Sequence, residues 1–219
     1  MFLDLGQNCR VKVNIASMAD GLLANDMTQS RFRITKTEIM AKGWSSLTKL
    51  HVHAEMRDGR KLELHREVAD HGHGAVILPI DRTRGTCLLV RQWRAGAAFT
   101  GEDGFLIEAC AGLLDADDPE ACVRREAFEE LGTHVHDIRH ISNCYSSPGA
   151  LSEKISLFVG TYEANDRVNA GGGLLEEGED IEVLEMPFAA AYDLIASGGM
   201  TDAKTIILLQ YVKLHFLKA

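Results

Sequence analysis

No run in this chain approaches the ~18 consecutive apolar residues that a helical membrane crossing takes, so no membrane partner is expected. The opening MFLDLGQNCRVKV has no basic start followed by an apolar stretch, which argues against a secretory signal. Cysteine is scarce and unpatterned: Cys9, Cys87, Cys110, Cys122 and Cys144 are odd in number, with no C-x-x-C spacing. Four of them sit in apolar strand-like or helix-like patterns, where a free thiol behaves as a small hydrophobe. Reduced thiols in a cytoplasm are therefore expected rather than a disulfide framework. A basic stripe is missing too. The net charge is −9, which argues against nucleic acid as a partner. A phosphate ligand is still possible, because a divalent cation can mediate its contact with an acidic protein.

What remains is ordinary globular material: 46% hydrophobic and 25% charged residues over 219 positions suit one packed domain with a small appended element. Residues 1–35 mix polar residues with short apolar runs and show no sustained period. They read as a peripheral extension, and an upstream translation start would account for the first ~26. Residues 36–70 read as N-terminal strands, with SSLTKLHVHAEM and KLELHREVA alternating on either side of Arg57-Asp58-Gly59-Arg60, a β-hairpin pattern. Residues 71–219 read as the main domain. AVILPI, CLLVRQW, FLIEACAG, about 138–146, about 154–163 and IEVLEM are its strands, with helices at about 118–131, 187–196 and 202–217. Strands interrupted by one central and two terminal helices predict an α/β fold, a mixed sheet sandwiched between helices.

The central helix carries the chemistry. Asp118-Pro119 is a helix start, an N-cap acceptor followed by proline at the first position, and Gly132 is a C-terminal stop. Between them Glu126, Glu129 and Glu130 stand at i, i+3 and i+4, so their carboxylates share one face. Ala121, Ala127, Phe128 and Leu131 gather on the other side and are expected to anchor the helix to the sheet. Like charges within one turn destabilise an isolated helix by ~0.2–0.5 kcal/mol per i,i+4 pair. A solvated acidic face paired with Arg124 and Arg125 is one reading. A site for a hard divalent cation, which takes oxygen ligands, is the other.

The surroundings favour the second. AGLLDADDPEACVRREAFEELG resembles the Nudix box, G-x5-E-x7-R-E-U-x-E-E-x-G-U, with Gly112, Arg125-Glu126, Glu129-Glu130 and Gly132 in register. Asp118 stands where the first Glu belongs, the spacer to Arg125 is six residues instead of seven, and Thr133 replaces an aliphatic residue. The shortened box looks like the branch of the Nudix family that hydrolyses GDP-mannose. From about Lys36 onward the likeness includes Arg91-Gln92-Trp93-Arg94, Ser147-Pro148-Gly149, Arg167-Val168-Asn169-Ala170-Gly171-Gly172-Gly173 and Asp202-Ala203-Lys204-Thr205.

The resemblance implies a Nudix fold with an N-terminal β-hairpin arm and hydrolysis of a nucleotide sugar to GMP and mannose 1-phosphate. It implies magnesium, for which manganese can substitute. The metal would be held by the Ala111 carbonyl, Glu126, Glu130 and Glu179, with Glu129 close by. Glu129, Glu130 and Glu153 would be catalytic, Glu153 as the base toward water. Ala111, Gly112, Leu113, Glu130, Glu153 and Glu179 would line the substrate, and Arg94 and Lys204 would hold its phosphate or sugar groups. Trp44, His65, Arg66 and Glu67 would reach into a partner's site, because this branch forms homodimers with exchanged N-terminal strands. Trp44 stands where Tyr is expected, keeping a stacking face, and Gly178 where an acidic residue is expected.

Other features have plainer readings. His51 and His53 alternate on a strand and fit a polar face better than a metal site lacking a third ligand. His71-Gly72-His73-Gly74 reads as a loop whose glycines serve backbone geometry. Gly171-Gly172-Gly173 either cradles phosphate or carries Glu179 toward the carboxylates. Arg94, Glu153 and Lys204 each have a surface alternative. Rival functions are an ADP-ribose pyrophosphatase, yielding AMP and ribose 5-phosphate, and a nucleotide-sugar sensor that binds without turnover.

Overall fold

The structure, a computed structural model, describes residues 30–114, 118–174, 176 and 178–216. The sequence reading of the first ~26 residues lies outside them. The chain divides into two compact units, Met1–Glu38 with Lys49–Arg66, and Ile39–Thr48 with Glu67–Ala219. Strands β1 (Phe32–Lys42), β2 (Ser46–Glu55) and β3 (Lys61–Asp70) form a three-stranded sheet in that order. The expected turn between β2 and β3 is present: the Met56 N–H donates to the Arg60 carbonyl (2.8 Å) and Gly59 adopts φ 82°. β1 begins inside the segment that reads as a peripheral extension, and the arm has three strands where a hairpin is expected. The strand is exposed along almost its whole length, so neither face imposes an apolar period. Within the first unit His53 pairs with Glu63 (2.7 Å) and His51 lies near Glu38 (3.3 Å), a polar strand face as read.

The second unit is built on a seven-stranded mixed sheet. β10 (Glu182–Pro187), β5 (Thr86–Trp93), β4 (Gly74–Asp81), β9 (Lys154–Thr161) and β8 (His136–Tyr145) run in that spatial order. β4 and β9 are parallel and the other pairs antiparallel. All eight residues of β4 are buried, as its unbroken apolar text predicts. Its side chains alternate between two cores. Val76, Leu78 and Ile80 pack with Phe188, Ala191, Leu208 and Leu209 of helices α3 (Phe188–Ser197) and α4 (Ala203–Tyr211). Ala75 and Ile77 pack with Cys122, Val123, Ala127 and Leu131 of α2 (Pro119–Leu131). This is the α/β/α sandwich. Cys87, Cys110 and Cys122 are buried and Cys144 is half-buried. A short helix α1 (Ala95–Phe99) buries none of its residues and so leaves no periodic trace in the sequence.

FLIEACAG, which reads as one strand, is two. β4 and β5 pair directly only where Ile80 and Asp81 face Cys87 and Thr86. Beyond that point β6 (Phe105–Glu108) pairs with β5 and β7 (Cys110–Leu113) with β4. The crossing is at Ala109, whose N–H donates to Thr205 Oγ1 (2.7 Å). It delivers Ala111-Gly112-Leu113 to α2.

Helix α2 starts and stops as its text predicts. The Asp118 carboxylate accepts the Ala121 N–H (3.3 Å), and Gly132 takes the left-handed C-cap at φ 67°. Its buried face differs from expectation: Phe128 and Ala121 are exposed, and Cys122, Val123, Glu126, Ala127, Glu130 and Leu131 are buried. Two of the carboxylates thus point into the helix–sheet seam. The carbonyls at the helix end are satisfied by the glycine loop: Gly172 N–H donates to the Glu130 carbonyl (2.8 Å) and Gly173 N–H to that of Glu129 (3.2 Å). Gly171 sits at φ 69°, and a Cβ there would lie 2.3 Å from the Glu130 carbonyl oxygen. Gly171→Ala should therefore destabilise the protein by at least ~1 kcal/mol in urea unfolding. Gly178→Ala, at a similar φ of 77° but in open space, should cost less. Equal losses would show that the close approach to α2 does not matter.

Candidate active site

A cleft of about 930 Å³ opens in the second unit. It is walled by the end of β5 (Gln92, Trp93) and Arg94 just past it, by β7, by Arg125, Glu126 and Glu129 of α2, and by Glu153. The acidic loop (Gly178–Asp180), the start of α4 (Asp202–Lys204), Trp44 and His71 complete it.

Glu126 enters the cleft over Gly112. A Cβ on Gly112 would lie 1.8 Å from Glu126 Oε1, so only glycine leaves room for this carboxylate between helix and strand. Burial pushes the Glu126 carboxyl up to about 7, helped by the charges of Glu129 and Glu179 and opposed by Arg125. Arg125 lies between the two, 2.9 Å from Glu126 and 2.8 Å from Glu129. Glu130 is deeper, 1% exposed, and accepts the Ala111 N–H (3.2 Å). Burial pushes its carboxyl up to about 8, with Glu126 and Glu179 adding to the rise and bonds from Cys110 and Ala111 opposing it. Ala111 pairs with Val76 and turns its N–H away from β4 toward Glu130; its carbonyl leaves the strand on that same edge. Glu179 Oε2 accepts the Leu174 N–H (2.9 Å). The glycine loop thus does both jobs at once, capping α2 and holding Glu179 near its carboxylates.

Arg94 and Lys204 meet on one buried acid. Arg94 Nε and Lys204 Nζ each lie 2.8 Å from a different oxygen of Glu108, which is 3% exposed. Asp202, the N-cap of α4, also holds Lys204 (2.7 Å). Glu153 lines the cleft at the end of a loop pinned by Ser152, whose hydroxyl donates to Asp70 (2.7 Å), and by the Ser152 N–H on the Ala69 carbonyl (3.1 Å). It has no salt-bridge partner among the described residues.

Residues 71–206 match the family model described as the NUDIX domain. The GDP-mannose pyrophosphatase of Shigella dysenteriae is 42% identical over 192 residues, covering 87% of this chain and 99% of that one. Its counterpart in Salmonella arizonae is 43% identical over 185 residues, 84% of this chain and 96% of that one. A solved ADP compounds hydrolase superposes with a TM-score of 0.66 at 17% identity, covering 88% of this chain and 100% of that one, a likeness of fold. The chain belongs to the Nudix family.

Nudix hydrolases work with a divalent cation, and this site fits one. Glu126, Glu129, Glu130 and Glu179 crowd negative charge where burial already opposes it, and hard cations favour such oxygen sets. Among the described residues the side chains do not close into a three-ligand group as they stand. Arg125 sits between two of the acids, and Glu130 is turned to the Ala111 N–H.

The resemblance implies that Trp44 reaches into a partner's site; within its own chain it lines the cleft, stacked on His71 at 5.2 Å between ring centres. His65 and Arg66 lie on β3 in the first unit, and Glu67, in the second, is not among the cleft-lining residues. Sequence reading did not single out His71, Gln92 or Glu108 as site components, nor the bridging role of Arg125. Glu108 and Gln92 did leave a signal, being polar residues at inward positions of apolar strands.

Both carboxyls start from an ordinary value of 4.5 and rise on folding. Below pH 4.5 they are protonated folded and unfolded; from there to about 7–8 only the unfolded chain sheds the protons. Metal-free protein should therefore lose stability as pH rises from 5 to 8, by up to about 1.4 kcal/mol per pH unit for each carboxyl. Calorimetry in chelator should show this fall, and Glu130→Gln should flatten it. A Tm that rises over the same range, or a variant with an unchanged slope, would refute the buried-acid account.

Proposed function

We propose that this hydrolase splits the pyrophosphate of GDP-mannose to GMP and mannose 1-phosphate, with magnesium as its cation and manganese as a substitute. The observation that carries the reading is one cleft in which the buried, proton-hungry Glu126 of α2, with Glu130 buried deeper on the same helix, meets a clamped Arg94–Lys204 pair. The similarity to GDP-mannose pyrophosphatases over 87% of the chain supports the substrate.

Glu126, Glu130, Glu179 and the Ala111 carbonyl would hold the cation, which supplies charge neutralisation for the pyrophosphate oxygens. Displacing Arg125 from Glu126 would leave that guanidinium on Glu129, so Glu129 positions Arg125 rather than joining the ligand set. Arg94 and Lys204 orient phosphate oxygens from the Glu108 anchor. Glu153, which has no salt-bridge partner among the described residues, takes the proton as water oxygen attacks phosphorus; the P–O bond to the bridging oxygen breaks, and the second phosphate leaves as the anion. Gly112 and Leu113 shape the wall below the carboxylates. Trp44 offers an indole face, 80% exposed, to the base. A homodimer with exchanged N-terminal strands, residues 36–70, would bring His65, Arg66 and Glu67 to the partner's cleft. Buried thiols suit a cytoplasmic enzyme.

Purified protein given GDP-mannose and magnesium should release GMP and mannose 1-phosphate, faster than it cleaves ADP-ribose, and chelator should abolish both reactions. Glu130→Gln should lower kcat/KM by at least ~100-fold. Faster ADP-ribose cleavage would keep the chemistry and replace the substrate. Binding of both without turnover would make the protein a sensor.

A further inference from the structure

Gln92 is the odd residue of the cleft. It is 7% exposed, its Nε2 is sealed from solvent, and that nitrogen has no hydrogen-bond partner among the described residues. It lies on β5 opposite Leu106 of β6, two residues beyond Val90, which faces Glu108. Side chains two apart on a strand share a face, so the amide stands beside the Glu108 anchor and two residues before Arg94. It also lines the cleft. Buried amide groups are nearly always hydrogen-bonded, and leaving one bare costs about as much as a lost bond. An apolar residue of the same length would suit the folded chain better. The amide therefore answers to something that enters the cleft.

We propose that Gln92 is a specificity-determining residue whose amide reads a hydroxyl of the sugar in the nucleotide-sugar substrate. The chemistry separates this from a phosphate contact. An amide carries a donor and an acceptor side by side, and a sugar hydroxyl, or a vicinal pair, answers both. A phosphate oxygen answers only the donor, and it sets its negative charge against the amide oxygen. The cations for phosphate are already supplied by Arg94 and Lys204, held on Glu108. A neutral amide adds recognition of a neutral polar group, and a site built to bond a hydroxyl discriminates strongly against ligands that lack it. The inference rests on the nucleotide-sugar reading of the cleft.

The test pairs two enzymes with two substrates. Wild type and Gln92→Met are compared on GDP-mannose and on the β-methyl ester of GDP, which keeps base and pyrophosphate but has no sugar. The variant should lose ~10–100-fold in kcat/KM on GDP-mannose and change little on the methyl ester. Its ligand-free Tm should be no lower than that of wild type, because the thioether removes a bare buried donor. Gln92→Leu should behave alike, and Gln92→Asn, keeping the amide one carbon short, should recover part of the discrimination. Equal losses on both substrates, no loss on either, or a Tm several degrees lower would each overturn the assignment. Failure of wild type to cleave GDP-mannose would instead strike the substrate reading. The same pair built on ADP-ribose and the β-methyl ester of ADP would then decide the role of Gln92.

Discussion

The seam between α2 and β7 is where folding and chemistry oppose each other. Apolar burial on the helix, from Val123, Ala127 and Leu131, is worth ~1.5–3 kcal/mol for each large side chain and docks it on the sheet. The same face buries Glu126 and Glu130. An uncompensated buried charge costs several kcal/mol, enough to cancel the apolar gain if both acids stayed ionised and alone. Holding their protons toward neutral pH is one escape, and a cation is the other. A surface acidic face would need neither, but it would also have no reason to bind a metal tightly.

That tension explains which glycines the site requires. Gly112 has no side chain because Glu126 occupies the space a Cβ would take. Gly171 and Gly173 let the loop lie against the end of α2, where it supplies N–H donors to two orphan carbonyls and brings Glu179 alongside. One loop thus closes the helix and adds an acid to the cluster. Both effects depend on positive φ at Gly171 and Gly173.

Much of this was legible in the residues. Strands β2 to β5, β9 and β10 carry alternating or largely apolar text, and α2 carries its own start and stop. Illegible parts share a cause: they are not periodic, or their period is misleading. β1 is exposed on both faces. FLIEACAG is continuous as text, but its break at Ala109 is imposed by the divergence of β4 from β5, a tertiary event. The wheel of α2 put the acids outside because helix patterning assumes that charge faces water, and here it faces the seam. Glu108 and Gln92 were readable in principle, as polar residues in inward strand positions, but nothing local says what they hold.

Glu108 and Gln92 also show how this cleft divides its labour. Glu108 joins Arg94 from just past β5 and Lys204 from the first turn of α4, residues 110 positions apart in the sequence by residue number. Its carboxylate lets two like charges sit close together, so the pair would not need to reorganise to meet an anion. Gln92 does the reverse. Its Nε2 has no hydrogen-bond partner among the described residues, so a group that completes it would be favoured. A clamped cation pair attracts any phosphate ester with little regard to what the phosphate carries. Selectivity would then fall to neutral, buried polar groups, and in the lining of this cleft Gln92 is one whose Nε2 has no partner among the described residues.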